Sequence, residues 1–228
     1  MNRFRPHLDL LEKEQRALLP KLSPLTSMGM ILYRGTAIAL RLGHRRSDDF
    51  DFFSSASLDK DAARNTCPAI ANGETVQDEP DTLTILVSGV KVSLFGGLEF
   101  GRVGEPEVMP DPSIPVASAL DLMATKLKVL MQRVSAKDYR DIAALISAGT
   151  DLASGLGAAR QMYGPAFQPI EAMRALTWFQ GGDLESLSPT EKRTLTRAVE
   201  PIQDIPVIDL ASRSLSPGGE DQAGTPSP

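Results

Sequence analysis

The chain has 228 residues, of which 42% are hydrophobic and 23% are charged, a balance typical of a globular protein with a sizeable core. Its 24 basic and 29 acidic residues give a net charge of -5, which argues against a basic surface that coats nucleic acid but leaves room for a local basic groove. One cysteine, Cys67, excludes an internal disulfide. With two histidines beside it, a Cys/His structural zinc site lacks ligands.

The sequence also predicts where the protein resides. The N-terminal residues are partly basic but lack the apolar region of a signal peptide. No apolar run approaches the roughly 20 residues that a membrane helix needs. We therefore expect a cytoplasmic protein with no membrane partner.

The first half of the chain has the pattern of mixed helices and strands. Leucines at helical spacing predict a helix over residues 8–22, and the apolar run 28–33 predicts a buried strand. Thr36 is predicted to be the N-cap of a short helix that Gly43 closes. The other elements predicted in this half are a strand over 49–53, a helix over 58–66, a hairpin over 81–95 that turns at Ser88-Gly89, and a loop over 101–115.

Helical spacing replaces this mixture from residue 116 onward. The predicted helices cover residues 116–130, 135–146, 151–163, 167–179 and 188–200. Residues 211–228 contain one leucine and no aromatic residue, so they are predicted to be disordered. The predicted fold class is therefore α+β, with an α/β core over 1–115, a helical half over 116–205 and a disordered tail over 206–228.

The segment 34–53 concentrates groups that bind phosphates and metal ions. Asp49 and Asp51 are two residues apart, which on a strand places both carboxylates on one face and suits one or two Mg²⁺ ions. Gly35-Thr36 opens a helix, whose free N–H groups together with a hydroxyl suit a phosphate. Residues 44–47, His-Arg-Arg-Ser, add further donors for phosphate oxygens. Together these groups predict Mg²⁺-dependent nucleotide chemistry.

Two blocks of the sequence resemble a known family. Gly35-Thr36 followed by Asp49-Phe50-Asp51 is similar to the signature of the DNA-polymerase-β-like nucleotidyltransferases, and the whole string 34–53 resembles their AbiEii/AbiGii toxin branch. A second block, from Lys126 through Arg133 to Lys137-Asp138 and Asp141, resembles the K…R…KDxxD block of that branch. The resemblance covers about residues 10–203. It implies a nucleotidyltransferase fold followed by a helical half, with the active site in the cleft between them.

The resemblance implies that a nucleoside monophosphate is transferred from an NTP to a hydroxyl group, with pyrophosphate leaving. Asp49 and Asp51 would hold Mg²⁺ and activate the hydroxyl. Lys126 would neutralise phosphate charge, and Asp138 would complete the catalytic set as a further acidic group. The nucleotide-binding set implied in this way contains Gly35, Thr36, Arg46, Ser47 and Lys126.

The resemblance also implies partners and a biological role. The acceptor would be an RNA end, such as that of a tRNA, the consequence would be growth arrest or phage defence, and a cognate antitoxin would be a partner. Two positions depart from the family pattern. Arg34 replaces the first glycine, and Ser93 occupies the strand position where many nucleotidyltransferases carry a third carboxylate. Either Asp138 replaces that carboxylate or the metal site is weaker.

Two other functions are compatible with this sequence. One is a catalytically silent nucleotide- or protein-binding module of the same fold, and the other is a transferase that modifies a protein hydroxyl or a small molecule such as an aminoglycoside. A basic groove around Arg45, Arg46 and Lys126 would favour RNA, whereas a small closed acidic pocket would favour the small molecule. Arg133 could instead simply pair with Asp138 or Asp141. Trp178 is expected to anchor the core of the helical half.

Overall fold

The computed structural model describes residues 4–217, and within them a mixed sheet precedes a helical half. The strands are β1 (Ile31–Tyr33), β2 (Phe50–Phe53), β3 (Glu74–Glu79), β4 (Thr82–Val87), β5 (Val90–Phe95), β6 (Glu107–Pro110) and β7 (Ser113–Val116). The helices are α1 (Lys13–Leu18), α2 (Arg34–Leu42), α3 (Lys60–Thr66), α4 (Pro68–Ala71), α5 (Ala119–Leu130), α6 (Ala136–Ser147), α7 (Leu152–Tyr163), α8 (Pro169–Thr177) and α9 (Pro189–Val199). The predicted α+β class is confirmed.

The strands form one sheet in the order β3-β4-β5-β2-β1-β7-β6. The central strands β1 and β2 are buried along their whole length, which is why both contain runs of apolar residues. They pair antiparallel, with Tyr33 opposite Asp51, and β2 pairs parallel with β5, with Asp51 opposite Ser93. The sheet therefore places Asp51 at its centre, between two neighbouring strands.

The sheet and the helical half share one hydrophobic core. Helix α2 follows β1 directly and packs against both α5 and α6, so it joins the two halves. Gly43 ends α2 in the left-handed conformation, as predicted. The hairpin turn at Ser88-Gly89 is also confirmed, with positive φ at both residues.

The N-terminal helix predicted over 8–22 is wrong in its extent. The structure divides this region into a 3₁₀ turn at Leu8–Leu10, the short helix α1, and 3₁₀ turns over Leu19–Met28. Glu12 begins α1 with a capping box to Gln15, and Pro20 and Pro24 lack the N–H groups that would extend an α-helix. Helix α2 likewise begins at Arg34, so Thr36 lies inside the helix and is not its N-cap.

Three strands were not predicted, and all lie toward the two margins of the sheet. Every residue of β3 is exposed, so this strand has no apolar alternation to indicate it. The predicted loop over 101–115 contains the β6–β7 hairpin, in which Val108 pairs with Pro115. Pro110 lies in the edge strand β6, where a proline is tolerated because its missing N–H leaves no partner strand unsatisfied. The proline content therefore led to the prediction of a loop where the structure has a hairpin.

The predicted disorder from residue 206 onward is wrong for residues 206–217. Leu215 is fully buried, and the Ser216 hydroxyl donates to the Gly29 carbonyl at 2.9 Å. The Arg102 N–H donates to the Ser212 carbonyl, also at 2.9 Å. One buried leucine and these hydrogen bonds fix the segment despite its polar composition. The rest of the predicted tail, residues 218–228, lies outside the described residues.

Trp178 was expected in the core, but it is 63% exposed. Buried Leu176 and Leu184 fill the core on either side of it along the chain. Within residues 4–217, no helix combines the length and the apolar character needed to cross a membrane.

We expect Leu215→Ala to lower the free energy of unfolding by about 2–5 kcal/mol, because a fully buried leucine leaves a cavity when it is truncated. Urea denaturation followed by circular dichroism measures this change. The matched control is Val207→Ala in the same segment, which is 81% exposed and should change stability by no more than about 0.5 kcal/mol. Equal effects of the two substitutions would contradict the docking of this segment.

Candidate functional site

A cleft of about 390 Å³ lies where the sheet meets the helical half. Its walls come from the start of α2, the loop that precedes β2, strands β2 to β5, helix α5 and the α5–α6 connection. Six basic and three acidic side chains line it: Arg34, Arg45, Lys91, Lys126, Arg133 and Lys137, with Asp48, Asp49 and Asp51. In a chain of net charge -5, this cleft is locally basic.

The two predicted carboxylates both line the cleft, in different environments. Asp51 lies in β2 and is buried, and one of its oxygens is 3.3 Å from the Arg34 guanidinium. Asp49 precedes the strand, is partly exposed, and pairs with Lys91 at 2.8 Å. Burial raises the pKa of Asp51 above its usual range, and the Arg34 charge offsets this rise only in part. Within residues 4–217, each carboxylate keeps a second oxygen without a hydrogen-bond partner.

Arg34 keeps a backbone conformation that glycine usually supplies. Its φ is +60°, which costs a residue with a Cβ about 1–2 kcal/mol. Its guanidinium lies 4.6 Å from the Phe95 ring centroid and 5.2 Å from that of Phe53, and these cation–π contacts together with the Asp51 ion pair offset the strain. The departure from glycine therefore adds a fixed cation to the cleft.

Gly35 lies in close contact with two side chains at the entrance of α2. A Cβ at this position would lie 2.9 Å from both the Arg45 guanidinium and the Ser47 hydroxyl. The Thr36 side chain is buried and donates a hydrogen bond to the Asp49 carbonyl. Gly35 and Ser47 thus line the cleft, whereas Thr36 lies behind it and holds the backbone of Asp49.

Lys126 of α5 reaches the cleft from a buried ion-pair network. Its ammonium group is 2.8 Å from Asp138 and 2.6 Å from Asp141, two carboxylates one turn apart on α6. Arg133 also pairs with Asp138, at 2.8 Å, so the reading of Arg133 as a partner of Asp138 is confirmed. Both carboxylates are fully buried.

Asp141 also ties the loop after α2 to the helical half. The Arg45 guanidinium binds both of its oxygens, at 2.6 and 2.8 Å, and His44 Nε2 lies 2.8 Å from one of them. Burial alone would raise the pKa of Asp141, but the hydrogen bonds from His44 and Arg45 and the Lys126 charge hold it well below its usual range. Hydrogen bonds from Arg133 and the Lys126 charge likewise keep the pKa of Asp138 low despite burial.

The structure brings together most of the predicted site residues. Those that line the cleft are Asp49, Asp51, Gly35, Ser47 and Lys126. Three others lie elsewhere: Thr36 and Asp138 are buried behind the cleft wall, and Arg46 points to solvent, 69% exposed, where it pairs with Glu12. Asp138 acts on the cleft through Lys126, which it contacts directly.

Sequence reasoning missed Lys91 as a cleft residue and treated Asp141 only as part of a motif or a surface charge. Lys91 could have been found, because it stands two residues before Ser93 and therefore shares its strand face. Asp141 is three residues after Asp138, a spacing that places both on one face of a helix. What that face contacts is a tertiary property.

Asp48 also lines the cleft, but in the described part of the chain no third carboxylate forms a metal-binding group with the acid pair. Ser93 lies opposite Asp51 in the sheet, and its hydroxyl accepts a hydrogen bond from Thr84 at 3.2 Å. Asp138 does not take its place, since both of its oxygens are engaged by Lys126 and Arg133. Among residues 4–217, no group of three or more His, Cys, Asp or Glu side chains is placed to hold a metal ion.

We expect the loss of Asp141 to change how stability depends on pH. The folded-state pKa of Asp141 lies below its usual value of 3.8, so its stabilisation is present in full above that pH and is lost as the pH falls below it. Asp141→Asn should lower the free energy of unfolding by about 3–5 kcal/mol at pH 7, because it leaves buried cations unpaired. The difference from wild type should shrink below about pH 4.

Urea denaturation between pH 7 and pH 3 measures this difference. The raised pKa of Asp51 acts in the opposite direction but is common to both proteins, so it cancels in the comparison. Asp61→Asn, at an exposed position of α3, is the control and should differ from wild type by no more than about 0.5 kcal/mol at every pH. A difference between Asp141→Asn and wild type that stayed constant with pH would contradict the network.

Comparison with known proteins identifies a family for this chain. A family model described as the nucleotidyl transferase AbiEii toxin of a type IV toxin–antitoxin system matches residues 29–176. An uncharacterised protein of Aquifex aeolicus (strain VF5) is 33% identical over 138 residues, which cover 58% of this chain and 65% of that protein. The chain thus spans slightly less than two thirds of that relative. Because the family match covers more than half of the chain and both sides of the cleft, this chain belongs to the AbiEii nucleotidyl transferase toxin family.

Proposed function

We propose that the chain is a Mg²⁺-dependent nucleotidyltransferase that moves a nucleoside monophosphate from an NTP to a hydroxyl acceptor. The observation that carries this proposal is the composition of the cleft. Six basic side chains suit a triphosphate, and two carboxylates with free oxygens lie among them. Family membership supports the same reaction class.

The donor set of the cleft fits Mg²⁺. This ion prefers carboxylate oxygens and usually needs only one or two of them, together with substrate phosphates and water. Asp49 and Asp51 would hold it through the oxygens that Lys91 and Arg34 leave free. When bound, the ion would supply charge stabilisation for the phosphate oxygens.

The proposed reaction is a substitution at the α-phosphorus of the NTP within the cleft. The acceptor hydroxyl attacks the α-phosphorus of the NTP, a new P–O bond forms, and the bond from the α-phosphorus to the bridging oxygen breaks. Pyrophosphate leaves with the bonding electrons, and the hydroxyl proton passes to a cleft carboxylate. Catalysis of this kind depends mainly on positioning and charge stabilisation.

Lys126 is the proposed counter-charge for the triphosphate from the helical half. Its ammonium group is held by Asp138 and Asp141, so it is positioned before the substrate arrives. Asp138 is therefore a positioning residue in this proposal. Thr36 has the same role toward Asp49, through its hydrogen bond to the Asp49 carbonyl.

We further propose an RNA end, such as that of a tRNA, as the acceptor. The cleft is locally basic, unlike the closed acidic pocket that a small cationic substrate would favour. Arg46 lies outside the cleft, and Arg45, which lines it, has a side chain that is only 18% exposed and is held by buried Asp141. The accessible cations are instead Arg133, whose side chain is 52% exposed, together with Lys91 and Lys137.

The biological role proposed here follows the family. Its description places AbiEii proteins in type IV toxin–antitoxin systems, which supports a cognate antitoxin as partner and growth arrest or phage defence as the consequence of activity. Growth of a host that expresses the chain, with and without its genomic neighbours, tests this role.

A second candidate is a catalytically silent binding module of the same fold. The pairing of each acid with a protein cation, Asp49 with Lys91 and Asp51 with Arg34, favours it, as does Ser93 in place of a third carboxylate. Such a module would bind NTP without releasing pyrophosphate.

We expect wild-type protein incubated with an α-labelled NTP, Mg²⁺ and total RNA to transfer label to RNA. Asp49→Ala should reduce the transfer at least about a hundredfold, because it removes a charged group that acts directly on the reacting phosphate. Its control, Asp61→Ala, replaces an exposed aspartate that does not line the cleft and should retain wild-type transfer. Gel analysis of the labelled RNA and a pyrophosphate assay give two independent readouts.

The outcomes separate the candidates. Wild-type transfer by Asp49→Ala would show that the metal site is assigned wrongly. NTP binding by calorimetry without pyrophosphate release would favour the silent module. Pyrophosphate release without labelled RNA would keep the transferase proposal and exclude RNA as the acceptor.

A further inference from the structure

A second cavity of about 400 Å³ adjoins the cleft. Arg34, Lys126 and Arg133 line both spaces, so three cations stand at the boundary between them. We call this cavity the side pocket. Nothing in the reaction proposed above uses it.

The walls of the side pocket differ in character from those of the cleft. Among the described residues, its lining includes no carboxylate and combines four cations with an apolar and aromatic wall formed by Phe53, Leu98, Phe100, Val129 and Tyr163. The fourth cation, Lys128, lies 5.7 Å from the Tyr163 ring centroid. The rings of Phe100 and Tyr163 are tilted toward each other, with centroids 5.3 Å apart, and Phe100 also contacts Phe53 edge-on at 6.3 Å. A concave space that joins an apolar, aromatic wall to polar and charged groups is suited to a small molecule with both characters.

Two polar groups of the side pocket have no partner in the described part of the chain. They are the Tyr163 hydroxyl and the carboxamide of Gln132, which is exposed just after α5. Burial holds the pKa of Tyr163 well above its usual range, so its hydroxyl stays protonated and can donate a hydrogen bond. A carboxamide can both donate and accept. The pocket thus offers aromatic faces together with hydrogen-bonding groups.

We propose that the side pocket binds a nucleobase, with the Phe100 and Tyr163 rings as its stacking surface and Gln132 as a group that reads the base edge. The inference rests on the nucleotidyltransferase function proposed above. A nucleotide whose phosphates bind the cations at the boundary can place its base in the adjoining aromatic space. Aromatic side chains stack on every base, and amide groups discriminate among base edges.

Two nucleotides could supply this base. One is the donor NTP, and the other is the terminal nucleotide of an RNA acceptor. The chemistry recognised is the same in both cases, so the experiment must separate them through the ligand that is added.

The test measures binding by calorimetry in the presence of Mg²⁺. The probes are each of the four NTPs and inorganic tripolyphosphate, which has the same phosphate chain without a base. We expect wild type to bind at least one NTP tighter than tripolyphosphate. Tyr163→Ala should weaken the binding of that NTP at least tenfold and change the affinity for tripolyphosphate by no more than twofold. Gln132→Ala should narrow the preference among the four bases.

Two controls test whether the variants fold and whether the effect is specific to the side pocket. Tyr163 is partly buried, so Tyr163→Ala is checked by circular dichroism, whereas Gln132 is exposed and its substitution keeps the test available if Tyr163→Ala does not fold. Trp178→Ala removes an aromatic residue that lines neither the cleft nor the side pocket, and it should bind every probe as wild type does.

A second arm uses short RNA oligonucleotides that differ only in their 3′-terminal nucleotide. If Tyr163→Ala or Gln132→Ala weakens the binding of these oligonucleotides but not that of the NTPs, the base in the side pocket belongs to the acceptor, and the proposal stands. Unchanged binding of both probe classes in both variants would overturn it, as would wild type that binds neither class.

The test also separates this inference from the proposed function. Binding that depends on the base, without label transfer, would contradict the transferase proposal and support the side pocket as a nucleobase site. Label transfer by a protein whose nucleotide binding does not depend on Tyr163 or Gln132 would support the transferase and contradict the nucleobase site.

Discussion

The buried carboxylates of Asp138 and Asp141 are the constraint on which the cleft depends. Ions removed from water cost several kcal/mol each unless they are paired and hydrogen-bonded. Here the pairing groups come from different parts of the chain: Lys126 from α5, Arg45 from the loop after α2, and Arg133 from the α5–α6 connection. Because Asp138 and Asp141 need cationic partners, these three segments meet at one point. The same ion pairs hold Lys126 in the wall of the cleft that Asp49 and Asp51 also line.

Site residues set by local geometry could be predicted, and those set by tertiary contacts could not. Asp49 and Asp51 follow from strand periodicity, and Gly35 follows from its place at a helix entrance. Arg45 and Arg46 are adjacent and chemically identical in the sequence, yet one is bound to buried Asp141 and the other to exposed Glu12. Only the packing of α6 against the loop after α2 distinguishes them.

The same distinction applies to the fold. Strands β1 and β2 and the main helices were found because burial gives them apolar runs or helical spacing. Strand β3 and the β6–β7 hairpin were missed, and the docked segment 206–217 resembles a disordered tail apart from Leu215. In each case pairing with an existing surface stabilises the segment, and composition carries little of that information.

The two outer strands have a consequence for how copies of this chain meet. An exposed strand edge offers unpaired N–H and C=O groups to which a strand of another molecule can add, the first step in many forms of aggregation. Strand β3 carries Glu74 and Glu79, where like charges on an approaching copy repel, whereas its Asp78 is paired with Lys60 and Arg64. On the opposite edge Pro110 of β6 has no N–H to offer. Both edges of the sheet thus carry a feature that disfavours the addition of a further strand.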